Sequence, residues 1–175
     1  MTDPARAVAS PAGELERPSP AASLEQAFER VQRGPMAGVP MLNPALRVQA
    51  VGFRRWQSHW LGVLITPWFM NLMLLPRIDA AWWPLAERDK RTCVFPAGPF
   101  EFIGARDPVL GDYQACSLFS PMFEFADQGG AVATAVAVLE GLFQPPAPAP
   151  AAAQKPTVSK RDFLFGRGPK ASHEP

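Results

Sequence analysis

The chain has 175 residues, 47% of them hydrophobic and 19% charged, with a formal net charge of +1. That balance describes a folded globular protein and excludes an intrinsically disordered one. No basic block crosses the middle of the chain, so duplex nucleic acid, which needs a clustered basic face, is excluded as a main partner.

Proline is the outlier at 21 residues, eleven of which lie in 1–20 and 145–175. The excess marks the ends. Residues 1–22, rich in Ala, Pro and Ser, are expected to be disordered and contain no apolar signal region. A helix is predicted over 23–33. Ser23 and Gln26 have capping-box spacing, Leu24, Ala27, Phe28 and Val31 form one stripe, and Gly34-Pro35 ends it. The run 35–46 holds three prolines and reads as an ordered loop.

Strand character begins at 46–56, where Leu46, Val48 and Ala50 alternate with Arg47 and Gln49, and Gly52 marks a bulge. "WLGVLIT" (60–66) and "FMNLMLL" (69–75) follow, separated at Pro67, which cannot donate to a ladder. The stretch 61–76 carries no charge, yet it is too short to span a bilayer and is interrupted by Thr66, Pro67 and Asn71. A polar excursion with a Trp pair occupies 76–91. Residues 92–96 and 100–105 form a predicted hairpin about Ala97-Gly98-Pro99, and 113–119 is a last strand. Residues 131–143 read as a second helix, 144–156 as a semi-stiff Pro/Ala linker, and 157–175 as a basic tail.

This order implies an α+β fold: two layers, an antiparallel sheet of four to five strands, and helices on one face, all within 23–143. An imbalance follows. "LGVLI" is apolar at both strand parities, and two short helices cover one face of such a sheet. The other face needs a partner, and all five tryptophans lie between Trp56 and Trp83 on this same stretch.

Chemistry is scarce. His173 lies in the tail, and His59 falls in a predicted turn, where it is expected to be exposed. The only cysteines, Cys93 and Cys116, have 22 residues between them. They read as buried small hydrophobes, with no disulfide framework and no CxxC. A thiol enzyme at Cys116 would need a base that no motif supplies, and a rubredoxin-like iron would need four cysteines. No phosphate loop, dinucleotide fingerprint or zinc motif is present. No catalytic residue, metal site or cofactor is expected, and a reducing cytoplasm is the default.

Four strings carry a resemblance: "NPAL" (43–46), "LGVLITPWFMNLMLLP" (61–76), "FPAGPFEF" (95–102) and "YQACSLFSPMFEFAD" (113–127). Together they resemble the HybE family of [NiFe]-hydrogenase assembly chaperones over about 43–143. The resemblance implies a two-layer α+β unit similar to secretion-chaperone domains. It also implies a cytoplasmic protein that binds the small-subunit precursor of an uptake hydrogenase through its twin-arginine signal peptide. Export is then withheld until cofactors are inserted and the large subunit is ready. The proline-rich tails depart from the family pattern.

Such a signal carries a basic pair, then Phe-Leu, then an apolar stretch, so its receptor calls for a greasy groove with carboxylates at one end. Trp68, Phe69, Met70 and Met73, with Met122 and Phe123, are the expected lining. Glu124 or Asp127 would pair with the arginines, because carboxylates match guanidinium forks bidentately. Other readings are a homodimer through the bare face, or a scaffold that bridges the large subunit and other maturation proteins without reading the signal. Near the C-terminus, "SKRDFLF" (159–165) resembles the twin-arginine pattern S-R-R-x-F-L-K, with Lys160, Arg161, Phe163 and Leu164 in the key places. "GRGPK" follows instead of an apolar region. The segment is either an anchor for a loose tail or a tethered pseudosubstrate.

Overall fold

The uncharged run folds as the central hairpin of a six-stranded antiparallel sheet. The computed structural model describes residues 16–78 and 82–146. The described residues through Pro145 belong to one compact unit. The elements are α1 (Ala21–Arg33), β1 (Gln49–Trp56), β2 (His59–Ile65), β3 (Met70–Pro76), β4 (Lys90–Phe95), β5 (Gly98–Asp107), β6 (Gly111–Phe119) and α2 (Gln128–Gly141). Most of 1–22, nearly all of the linker and the whole 159–165 motif lie outside the described residues.

The strand order is β1-β2-β3-β6-β5-β4. After β3 the chain crosses to the far edge and returns as a β4-β5-β6 meander, so β3 pairs with β6. The fold class stands as expected, with six strands instead of four to five. The helices do not share a face. Leu61, Val63 and Ile65 of β2 pack with Ala131, Ala135 and Leu139 of α2. Trp60 and Leu64, pointing the opposite way, pack with Leu24, Ala27 and Phe28 of α1. Every residue of β2 is buried. A strand apolar at both parities demands cover on both faces, and each helix supplies one.

Local chemistry explains the element ends. Thr66 closes the β2–β3 hairpin: its hydroxyl accepts from the Phe69 N–H at 2.9 Å and donates to the Phe69 carbonyl at 3.0 Å. Pro67 sits in that turn, where a missing donor costs nothing. The expected bulge falls between Val51 and Arg54, with Gly52 at φ +62°. A Cβ at Gly52 would stand 2.5 Å from Leu139 Cδ1. Helix α1 begins two residues before the predicted start, with no side-chain cap, so Ser23 does not serve as one. Helix α2 begins three residues early because Asp127 caps it, accepting from the Gly130 N–H at 2.8 Å. The excursion after β3 lies against the α2 side of β5 and β6. Gln114 Nε2 donates to the Trp83 carbonyl at 2.6 Å, and a Cβ on Gly104 would collide with the Ala86 carbonyl.

Candidate peptide groove

Helix α1 covers the β1–β3 half of its face and leaves the β6-β5-β4 half open. The residues on that open half follow from strand register. Met73 pairs with Ala115, which pairs with Ile103, which pairs with Lys90. Asn71 pairs with Ser117, and Tyr113 with Ala105. Between α1 and this surface lies a depression of about 230 Å³, with Phe28 and Phe69 on one wall and Ile103 and Ala105 on the other. Met73, Ala115, Asn71, Ser117 and Tyr113 also line it. Ile103 is 41% exposed and Val94, on the same face of β4, is 75% exposed. Between them on that face stand Thr92 and Glu101, the latter accepting from Lys90 Nζ at 2.8 Å, so the apolar floor is confined to the depression itself.

The groove is braced by aromatic contacts. Phe28 meets both Phe69 and Tyr113 edge-on, and Trp68 backs Phe69 with ring centres 5.5 Å apart. One polar feature interrupts the apolar floor. The buried Asn71 Oδ1 accepts no hydrogen bond from the described residues.

Charge is uneven along the groove. Near the Tyr113 end, Ala105 also borders a second hollow, about 530 Å³, lined by Pro84, Leu85, Ala86 and Glu87 of the excursion and by Arg106 and Asp112, which alternate to the α2 side. Burial raises the Tyr113 phenol pKa above its usual value, and the charges of Asp107 and Glu87 raise it further. Asp107 and Asp112 face arginines of this chain, Arg30 at 3.9 Å and Arg106 at 3.2 Å. Glu87 makes no ion pair among the described residues. At the opposite end, the Ser120 hydroxyl donates to the Trp68 carbonyl at 3.3 Å. The loop bearing Phe123 therefore starts beside the Phe69 turn.

The comparisons bear on what such a domain serves. A family model described as "[NiFe]-hydrogenase assembly, chaperone, HybE" matches residues 19–166. This chain belongs to that family. Protein HoxT of Cupriavidus necator is 46% identical over 160 residues, covering 82% of this chain and 87% of its own. Hydrogenase-2 operon protein HybE of Escherichia coli K12 is 32% identical over 105 residues, 59% of this chain and 64% of its own. Probable rubredoxin HupJ of Rhodobacter capsulatus is 43% identical over 117 residues, which is 67% of this chain but only 42% of that protein. The solution structure of Escherichia coli HybE superposes with a TM-score of 0.60 at 26% identity, covering 87% of this chain and 92% of that one. The chain is thus a HybE-family hydrogenase assembly chaperone. Among the described residues, no helix is long and apolar enough to cross a membrane.

In this chaperone the residues expected to line a groove are divided between the faces. Phe69 and Met73 reach the depression, and Trp68 stands behind Phe69. Met70 and Met122 are fully buried in the opposite, α2-side core. Met70 and Met73 are three apart on a strand, so they point opposite ways. Phe123, 60% exposed, and Glu124 lie on the β6–α2 loop, and Asp127 is committed to capping α2. Phe28, Asn71, Ile103, Ala105, Tyr113, Ala115 and Ser117 line the depression without being expected there from the sequence. Their signal lay in a pairing partner: β3 lies beside β6, which chain order alone does not give.

His59 is a correction. It is the first residue of β2, fully buried instead of exposed in a turn. Its ring lies 4.4 Å from Trp83, 5.2 Å from Trp82 and 6.0 Å from Trp56, centre to centre. Burial, then the charges of Arg91 and Arg77, lower its pKa to about 4. Cys93 and Cys116 are buried, as expected, and burial raises both thiol pKa values.

Proposed function

We propose that this chaperone holds the precursor of a hydrogenase small subunit by its twin-arginine signal peptide, in the groove beside α1. By occupying the leader in the cytoplasm it delays export until the subunit is mature. The observation that carries this reading is the open half-face itself, an aliphatic and aromatic floor that runs into carboxylates at one end.

The chemistry matches in order. The arginine pair of the leader sits against Asp107 and Glu87, the two carboxylates whose charge is felt at Tyr113, where a guanidinium finds fork-shaped acceptors. The following Phe-Leu lies over Met73, Ala115 and Ile103, and the apolar stretch continues toward Phe69 and Phe123. From Tyr113 to Phe119 the floor runs about 20 Å at ~3.4 Å per residue, room for roughly six extended residues. Burying a Phe and a Leu side chain contributes about 3–6 kcal/mol before ordering costs, short of the ~8 kcal/mol of a micromolar complex, so the arginine pair and the apolar stretch supply the rest. The reading is that of a binding protein without turnover.

The test is capture of a small-subunit precursor with and without its leader, alongside calorimetry with a synthetic leader peptide. The expected result is loss of capture when the leader is removed, and at least tenfold weaker peptide binding by Ile103→Glu. Equal capture of the leaderless subunit would favour a scaffold that bridges maturation proteins. Capture of the large subunit alone would point the same way.

A further inference from the structure

We propose that Asn71 holds the main chain of the leader, which crosses the floor of the groove as an extended strand, with Ser117 as a second hydrogen-bonding contact. The inference rests on the groove being the leader site proposed above, and it names the residue that sets the bound conformation. Asn71 and Ser117 are cross-strand neighbours on β3 and β6, and both line the depression. The residues around them, among them Phe28, Phe69, Met73 and Ala115, are apolar. The Asn71 side chain makes no hydrogen bond to the described residues, although its Oδ1 is buried. A buried amide oxygen without a partner is uncommon in a folded domain, and this one stands in an apolar floor with a donor beside it. The last side-chain torsion of Asn is broad, so a turn of the amide presents either group to an occupant.

Ser117 carries a second unmet demand, set by the sheet itself. Gly104 donates its N–H to the Asp89 carbonyl at 2.9 Å and accepts from the Arg88 N–H at 2.8 Å, so Gly104 turns to the β4 side. Alternation turns Ile103 to β6, where it pairs with Ala115, and the β5–β6 pairing stops there. Strand β6 runs on to Phe119 with β3 alone beside it. Ser117, two residues past Ala115, therefore turns its main-chain N–H and carbonyl to a side where no described strand pairs with it. Its carbonyl meets only the Cys116 thiol, at 4.0 Å, and the residue is exposed.

The conformation of the occupant follows from what these groups need. Asp107 and Glu87 draw the arginine pair to the Tyr113 end, so the segment that passes Asn71 is the apolar one, which has no polar side chains to offer. Only its main chain can satisfy the amide. A helix spends its N–H and carbonyl groups on itself and would cover Asn71 without pairing it. An extended strand leaves the N–H and carbonyl of every second residue free on one side, and an Asn amide matches both groups of one residue. Asn71 lies two residues from Met73 along β3, about 7 Å at ~3.4 Å per residue, which places the contact about two residues after Phe-Leu. Such a contact is indifferent to which apolar side chain follows, so leaders of different sequence fit one groove, whereas a proline at that position lacks the N–H.

The test is calorimetry of the full chain with a synthetic twin-arginine leader peptide and a set of copies, each N-methylated at one main-chain amide. With the parent chain, methylation at one amide, about two residues beyond Phe-Leu, is expected to weaken binding about tenfold while its immediate neighbours tolerate it. Asn71→Leu is expected to weaken the unmodified peptide about tenfold and to erase the penalty of that methyl group. Ser117→Ala is expected to weaken it by about threefold. The Asn71 amide has no partner in the fold, so Asn71→Leu should unfold in urea no earlier than the parent. A methylation scan without a single sensitive position overturns the proposal, as does a loss spread over consecutive amides, the mark of a helical leader. Equal or tighter binding by Asn71→Leu overturns it as well. Ile103→Glu separates the two readings. If it weakens leader binding while Asn71→Leu and the scan show no effect, only the main-chain contact falls. If it leaves leader binding unchanged, the groove is not the leader site and both fall.

Discussion

Phe28 of α1 stands edge-on to Phe69 of the β2–β3 turn, with ring centres 5.7 Å apart and planes at 81°. The same ring meets Tyr113 of β6 at 6.2 Å and 73°. One helix side chain therefore fixes the wall and floor of the groove relative to each other. Two substitutions separate fold from binding. Phe28→Ala empties a buried site and is expected to cost about 3–5 kcal/mol in denaturant unfolding. Ile103→Glu changes an exposed position and is expected to shift stability by about 0.5 kcal/mol or less, while abolishing most leader binding. A large stability loss in Ile103→Glu would mean that Ile103 belongs to the core and that the open half-face is not open.

Gly52 is predicted to be irreplaceable for two independent reasons. Its φ of +62° is costly for an L side chain, and a Cβ would sit 2.5 Å from Leu139 Cδ1. Gly52→Ala is expected to destabilise by about 1–3 kcal/mol. Combining it with Leu139→Ala, itself expected to cost about 2–5 kcal/mol, relieves the contact but not the dihedral strain. The double variant is therefore expected to be more stable than the sum of the singles by about 1 kcal/mol. Strict additivity in urea unfolding would show that the backbone conformation alone fixes the glycine.

Much of this fold was legible. The Leu24, Ala27 and Phe28 stripe, the phase break at Gly52 and the hairpin about Gly98 each rest on a local rule, and each appears where the rule put it. The site was less so, for reasons of geometry. Alternation within β3 already separates Met70 from Met73, and a stricter use of strand period would have kept only Met73 for the groove. Ile103, Tyr113 and Ala115 join the site because β3 pairs with β6, a relation between residues about forty apart that no local pattern carries. Two apolar parities in β2 demanded cover on both faces, but not that each helix would take one face. His59 misled because a polar residue beside "QS" reads as a turn, whereas the Trp82-Trp83 segment folds back over it.

Asn43 ties three parts of the chain together. Its side-chain amide donates to the Met122 carbonyl at 2.9 Å and the Phe125 carbonyl at 2.8 Å, and its Oδ1 accepts from the Ala45 N–H at 3.0 Å. Its backbone N–H donates to the Pro67 carbonyl at 2.8 Å. Asn43→Ala removes both donors, leaving the Met122 carbonyl with only the Phe125 N–H at 3.2 Å and the half-buried Phe125 carbonyl without its amide donor, and is expected to cost about 1–3 kcal/mol. Asn43→Asp substitutes acceptors where donors are needed and is expected to be at least as damaging at neutral pH. Hydrogen exchange of the 120–127 loop checks the mechanism, because its amides should exchange faster in both variants while those of β4 and β5 do not.

His59 makes stability depend on pH in a defined window. In the fold its pKa is lowered from 6.5 to about 4, first by burial and then by Arg91 of β4 and Arg77 beyond β3. The unfolded chain therefore binds more protons than the native one between those values. The contribution is fully present above pH 6.5 and is lost as pH falls through 6.5 toward 4. At ~1.36 kcal/mol per pKa unit the full loss is at most about 3 kcal/mol, about half of it reached near pH 5. The Trp56, Trp82 and Trp83 rings around His59 offer no carboxylate to hold the imidazolium, and its Nε2 has no hydrogen-bond partner among the described residues. His59→Phe keeps a ring in the nest and removes the titration. Between pH 6.5 and 5 the parent should lose urea-unfolding free energy steeply while His59→Phe stays nearly flat, and parallel slopes would show that carboxylates elsewhere carry the dependence.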